Sequence, residues 1–162
     1  MKFSREIVEA AFSTARAARL SGLSPRQLDY WDRRGLLTPS VAAAAGYGSS
    51  RRYSFADVVR LRVAARLRAA GFGLPNLRQA MQTLRRMDPA RDPLTARLVL
   101  AGGRVLWVRS AREIVDLLDD GQLMLVFPVA REAEAVASAV HRLEREEEEL
   151  LPAPRRAGGR GR

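Results

Sequence analysis

From Phe12 onward the apolar positions recur at helical spacing, in short blocks separated by glycine and serine. Ala15, Ala18 and Leu20 share one face of a first helix, which Ser13 can N-cap and Ser21-Gly22 ends. Leu23 leads into Ser24-Pro25-Arg26-Gln27. This string predicts a second helix start, with Ser24 as N-cap, Pro25 at the first helical position and Gln27 placed to close a capping box. Leu28 and Trp31 give that helix an apolar side, and Gly35 stops it before Leu36. Its other side is polar and basic, with Arg26, Gln27, Arg33 and Arg34. Two short helices joined through a glycine-containing turn form a helix-turn-helix pattern, although a generic helical hairpin with a solvated face reads the same way.

Downstream, apolar Val41 to Ala45, the tip Gly46-Tyr47-Gly48-Ser49-Ser50 and the return Arg51-Arg52-Tyr53 predict a β-hairpin, or wing. Its arginines suit phosphates or a minor groove; an ordinary surface loop with two arginines is the plainer alternative. Ser54 opens a third helix to about Ala70, with Asp57 complementing its N-terminal dipole. Val58, Val59, Leu61, Val63, Ala65 and Leu67 give it a broad apolar face. Gly71-Phe72-Gly73 breaks it, and a fourth helix from Leu74-Pro75 carries Leu77, Ala80, Met81 and Leu84. Asp88-Pro89 and Asp92-Pro93 mark a linker.

Beyond the linker the period changes. Leu98 to Leu100 and Val105 to Val108 read as two strands around a glycine turn, and Leu123 to Phe127 as a third. Between them Ser110 can cap a short helix through Ile114, Val115, Leu117 and Leu118, which completes a ββαβ unit. A last helix spans about Ala130 to Leu151. Ala133, Val136, Val140, Leu143 and Leu150 keep a seven-residue register that Glu147 interrupts, too short a run for a coiled coil. The predicted class is α+β. It comprises a winged helix-turn-helix domain over residues 12–87, a small ββαβ-plus-helix domain over 94–151 for dimerisation or partner binding, and a disordered basic tail over 152–162.

Charge sharpens this division. Residues 1–90 hold 16 Lys and Arg against 6 Asp and Glu, whereas residues 91–162 hold 12 of each. The whole formal surplus of +10 therefore lies in the first half, where a polyanion is the natural partner. Coding bias explains why 27 of the basic residues are arginine and one is lysine, but not the asymmetry. Cysteine is absent, which excludes disulfides and thiolate metal sites; with His141 the single histidine, no metal or cofactor is expected. Asp116, Asp119 and Asp120 have no nucleophile or histidine near them in sequence and read as solvated acids, so no enzyme is expected. No signal peptide or membrane span is read, and a cytoplasmic, nucleoid-associated protein is expected.

Two strings, FSTARAARLSGLSPRQLDYWDRRGLLTPS and RRYSFADVVRLRVAARLRAAGFGLPNLRQAM, resemble the DNA-binding domain of the MerR family. The first carries that family's two helices, its aromatic pair as Tyr30-Trp31 and its exit as Gly35-Leu36-Leu37. The second carries the wing's return strand and a helix pair joined by Gly-Phe-x-Leu. The resemblance implies phosphate contacts at helix N-termini for Ser13 and Ser24, and a major-groove position for Arg26 and Gln27. It implies backbone or groove-edge contacts for Tyr30 and Arg33, and wing contacts for Arg51, Arg52 and Tyr53. Trp31 reads as core. Two features depart from the family. Asp29 stands where many members have an arginine, and Pro89 and Pro93 interrupt the usual dimerisation helix.

The function implied is a sequence-specific regulator of transcription that binds double-stranded DNA. A homodimer on a pseudo-palindromic promoter site is expected, with RNA polymerase as a further partner. An excisionase-like DNA-bending accessory protein is one alternative. An antitoxin-like or adaptor protein whose second half binds a protein partner is another.

Overall fold

Four serines start the first four helices. Each stands in extended backbone and its hydroxyl accepts from the amide three residues on: Ser4 from Ile7, Ser13 from Arg16, Ser24 from Gln27 and Ser54 from Asp57. The helices that follow are α1 (Arg5–Glu9), α2 (Thr14–Ser21), α3 (Pro25–Arg33) and α4 (Phe55–Ala69). Then come α5 (Leu74–Arg85), with proline in its first turn, and the long α6 (Val129–Glu149). The computed structural model describes residues 3–42, 50–86, 97–101, 104–108 and 124–150. The tip of the predicted wing, the linker, the short helix of the ββαβ unit and the basic tail lie outside these residues.

Glycine ends two of the early helices where the chain turns left-handed. Gly22 has φ 76° after α2, and Gly35 has φ 65° just past α3. The joint between α2 and α3 is therefore short, as the helix-turn-helix pattern requires.

Residues 3–11, which show no firm pattern in sequence, do have structure. They fold into α1, with Ile7 buried, and into the start of β1 (Ala11–Ser13). Strand β1 pairs antiparallel with β2 (Arg52–Ser54), matching Phe12 to Tyr53 and Ser13 to Arg52. The predicted wing return is thus a strand, and its ladder partner is the segment that starts α2. Ala42 also bridges to Arg52, so the base of the hairpin is closed. In the second half β3 (Arg97–Ala101) lies between β4 (Arg104–Val108) and β5 (Met124–Pro128), both antiparallel to it.

Helix α4 is the hub. Val58, Val59, Leu61, Val63, Ala64 and Leu67 are buried and surround most of its circumference, the signature of a helix enclosed by others. Helices α1, α2, α5 and α6 all pack on it. The apolar stripe of α6 includes Val129, Ala133, Val136, Ala137, Val140 and Leu143. It lies against α4 and α2, so residues from both halves share one apolar core. The seven-residue register read from the sequence is thus covered within the chain, and Leu150, counted in that register, is 84% exposed.

Charged contacts accompany this packing. The buried Glu132 carboxylate of α6 meets Arg62 Nε at 2.6 Å and Arg66 Nε at 3.3 Å, while Arg62 Nη1 donates to the Leu20 carbonyl. Further along, Glu146 pairs with Arg19 at 2.8 Å and Glu147 with Arg16 at 3.3 Å. No helix among the described residues is long and apolar enough to cross a membrane.

Candidate nucleic-acid interface

Helix α3 is held from beneath by Leu28 and Trp31, which are 1% and 5% exposed. That burial turns the opposite face outward. Arg26, Gln27, Tyr30, Arg33 and Arg34 are all exposed there. The helix start is rigid, because the capping box closes in both directions. The Gln27 amide donates to the Ser24 hydroxyl at 3.2 Å, and the Ser24 amide donates to Gln27 Oε1 at 2.8 Å. Those two bonds use neither the side-chain NH2 of Gln27 nor the O–H of Ser24. Ser13 is arranged alike, its oxygen accepting from the Arg16 amide at 3.3 Å.

The arginines of this surface differ sharply. Arg26 makes no ion pair with the described residues and is exposed. Arg34 lies over the Tyr30 ring, 5.3 Å from its centroid, a cation–π contact that steadies a half-exposed tyrosine. Arg51 is enclosed, its side chain 19% exposed. Its Nε donates to Asp32 Oδ2 and its Nη2 to Asp29 Oδ1, both at 2.8 Å. The other oxygen of Asp29 meets Arg33 Nε at 3.0 Å. The hydrogen bond from Arg51 holds the Asp29 carboxyl below its ordinary pKa; partial desolvation opposes this and Arg33 assists. Desolvation works against the Arg51 cation, but the two carboxylates outweigh it and raise its pKa.

A second network fixes the base of the wing. One Asp57 oxygen accepts from the Ser40 amide at 2.8 Å, the Ser40 hydroxyl at 2.6 Å and the Ser54 amide at 3.0 Å. The other meets Arg60 Nη1 at 3.2 Å. The chain entering the hairpin and the chain leaving it are therefore tied to the first turn of α4 through one carboxylate.

The expected site residues thus separate into groups. Ser13, Ser24, Arg26, Gln27, Tyr30, Arg33 and Arg52 have access to solvent, Ser13 the least. Arg51 belongs to the seam between wing and helix. Tyr53, expected as a wing contact, is instead core. It is 1% exposed and stands opposite Phe12 in the β1–β2 ladder, and burial pushes its phenol pKa up. In a two-stranded ladder alternate residues face opposite sides, so exposed Arg52 and buried Tyr53 could not share a role. Sequence reading missed the Asp29–Arg51–Asp32 bracket and the Ser40–Asp57 tie. The spacing of Asp29 and Asp32, one turn apart on α3, was the available signal; their partner lies 22 and 19 residues away.

Comparison with known proteins agrees with this geometry. Residues 12–84 match the family described as MerR HTH family regulatory protein. An HTH-type transcriptional regulator of Mycobacterium tuberculosis is 42% identical over 106 residues, covering 65% of this chain and 47% of that protein. The HTH-type transcriptional activator TipA of Streptomyces coelicolor is 36% identical over 83 residues, 51% of this chain and 30% of that protein. Among solved structures, HiNmlR, a MerR family regulator lacking the sensor domain and bound to promoter DNA, aligns at 20% identity. That alignment covers 86% of this chain and 80% of the other with a TM-score of 0.41, a likeness too distant to bear on contacts. Residues 12–84 are therefore similar to the MerR HTH family. The chain spans about half the length of the Mycobacterium relative, or less for TipA.

Proposed function

We propose that this chain is a MerR-type transcriptional regulator that binds double-stranded DNA at specific promoter sites. The observation that carries the reading is the exposed face of α3. Arg26, Gln27, Tyr30 and Arg33 stand on a helix whose start is locked by a capping box, beside the base of a wing tied to α4. Such a helix inserts in a major groove with its N-terminal residues toward base edges. Arg26 suits bidentate contact with guanine, and Gln27 offers its side-chain NH2 to a base acceptor. Ser13 and Ser24 donate to flanking phosphates at helix N-termini, and Arg52 reaches backbone beside the wing.

One such helix reads too few base pairs for a useful site, so the working form is a homodimer on a pseudo-palindromic operator. RNA polymerase is the further partner of a promoter-bound regulator, and the bacterial cytoplasm, on the nucleoid, is where such a protein acts.

Selection of bound sequences from random duplex DNA, followed by footprinting, tests the reading. A discrete motif with two half-sites about ten base pairs apart, or a multiple of that, is expected. Absence of duplex binding even at low salt overturns it.

A further inference from the structure

Arg51 would ordinarily be counted among the phosphate-binding arginines of a wing. Its surroundings argue otherwise. Two carboxylates of α3 grip two edges of one guanidinium at 2.8 Å each, and the three side chains are only 19%, 33% and 14% exposed for Arg51, Asp29 and Asp32. A fork held on two sides by full negative charges is already paired. To reach a phosphate it would have to abandon both. Arg33 is different. It shares Asp29, but its side chain is 76% exposed, and an exposed pair is worth little and exchanges readily. The four groups Asp29, Asp32, Arg33 and Arg51 sum to no net charge. The middle of α3 therefore presents less positive charge to DNA than its arginine count implies.

Resting on the DNA-binding reading above, we infer that Arg51 is a positioning residue and Asp29 the specificity-determining one. Together with Asp32 they bolt the wing to the recognition helix and withhold Arg51 from the phosphates. The two reading elements then dock as one rigid body, and discrimination between sequences rises. Sequence-blind attraction falls, because one cation is neutralised and a second, Arg33, is partly restrained. An arginine at position 29 would do the reverse, adding a phosphate contact and repelling Arg51.

The test is the affinity of the full chain for its selected site and for random duplex, each measured across a salt series. Urea melts confirm that every variant folds. Arg51→Gln is expected to leave the slope of log affinity against log salt unchanged. It lowers the ratio of specific to random affinity about tenfold, the scale of one misread base pair. Arg51→Lys keeps the charge but offers no planar fork, and is expected to lose the same ratio. Asp29→Asn releases Arg33 and leaves Arg51 on Asp32 alone, so its slope steepens by about 0.9 per new phosphate contact. That is about an eightfold gain on random DNA between 1 M and 0.1 M salt for one contact. If Arg51→Gln instead makes the slope shallower by about 0.9, Arg51 is a direct phosphate contact and the inference is overturned. An unchanged ratio in Arg51→Gln and Arg51→Lys overturns it as well, while leaving the DNA-binding reading intact. Failure of the wild-type chain to bind duplex at all overturns both.

Discussion

Asp57→Ala should be among the most damaging single changes in the first half, and the structure says by how much. The side chain is 3% exposed and its two oxygens serve four donors. Truncation removes the reciprocal arm of the α4 capping box, a contribution of about 1 kcal/mol. It also leaves the Ser40 amide without its acceptor, at about 1 kcal/mol. It also takes the carboxylate from Arg60, whose side chain is 14% exposed but which still donates to the Leu84 carbonyl. Breaking a buried ion pair from one side costs about 3–5 kcal/mol, and because Ser40 lies at the surface the lower end applies. The expectation is therefore about 3 kcal/mol, a large share of a domain's stability. Asp57→Asn keeps one carbonyl oxygen for the serine donors and should lose clearly less. Urea denaturation at fixed pH, with the m-value checked for constancy, reads both. A loss under about 1 kcal/mol for Asp57→Ala would refute the idea that one carboxylate closes the base of the wing.

Four other expectations follow from the same geometry. Tyr53→Phe should leave DNA affinity within about twofold of wild type and leave stability unchanged or raised by up to about 1 kcal/mol, since the hydroxyl finds no partner among the described residues; a tenfold loss of binding would return Tyr53 to the interface. Arg26→Ala should weaken the selected site by about 1–3 kcal/mol and relax preference at a single base pair, whereas equal weakening on every sequence would make Arg26 a phosphate contact. Glu132→Gln should cost about 1.5–3 kcal/mol by loosening α6 from Arg62 and Arg66, detectable as faster amide exchange along α6. The Asp29 carboxyl is held below its unfolded pKa, so its stabilising effect is complete above that value and is lost as pH falls through the folded one. The stability difference between wild type and Asp29→Asn should accordingly stay constant from pH 7 to pH 5 and shrink below about pH 4; a change centred near neutrality would contradict it.

Much of the first half was legible because its instructions are local. Ser24-Pro25-Arg26-Gln27 specifies a helix start within four consecutive residues, and the capping box forms as spelled. Gly22 and Gly35 mark turns that only a residue without Cβ adopts cheaply. The exposure of Arg26, Gln27, Tyr30 and Arg33 follows from Leu28 and Trp31 facing inward, a matter of helical period. What could not be read depends on residues far apart. Strand β1 is three residues long and becomes a strand only because Arg52 to Ser54 lies beside it. The family resemblance implied a contact for Tyr53; its inward side is set by that same ladder.

The charge surplus shows most clearly how packing redistributes what composition announces. Counted along the chain, all the excess lies before residue 91 and the second half is neutral. Folding brings the acids of α6 back over the first half. Glu132 takes up Arg62 and Arg66, Glu146 takes up Arg19, and Glu147 takes up Arg16. These arginines belong to α2 and α4, the helices that carry the core. Within α3 and the wing, Asp29 and Asp32 neutralise Arg51, and Asp29 also pairs with Arg33. Arg26, Arg34 and Arg52 make no ion pair among the described residues, and Arg33 makes only an exposed one. A domain with many uncompensated arginines binds any duplex tightly and discriminates poorly, because phosphate contacts carry no sequence information. On the DNA-binding reading, internal pairing of these arginines lowers that attraction locally and leaves more of the choice of site to the α3 side chains. A basic composition is therefore compatible here with selective binding, provided the acids of α3 and α6 remain in place.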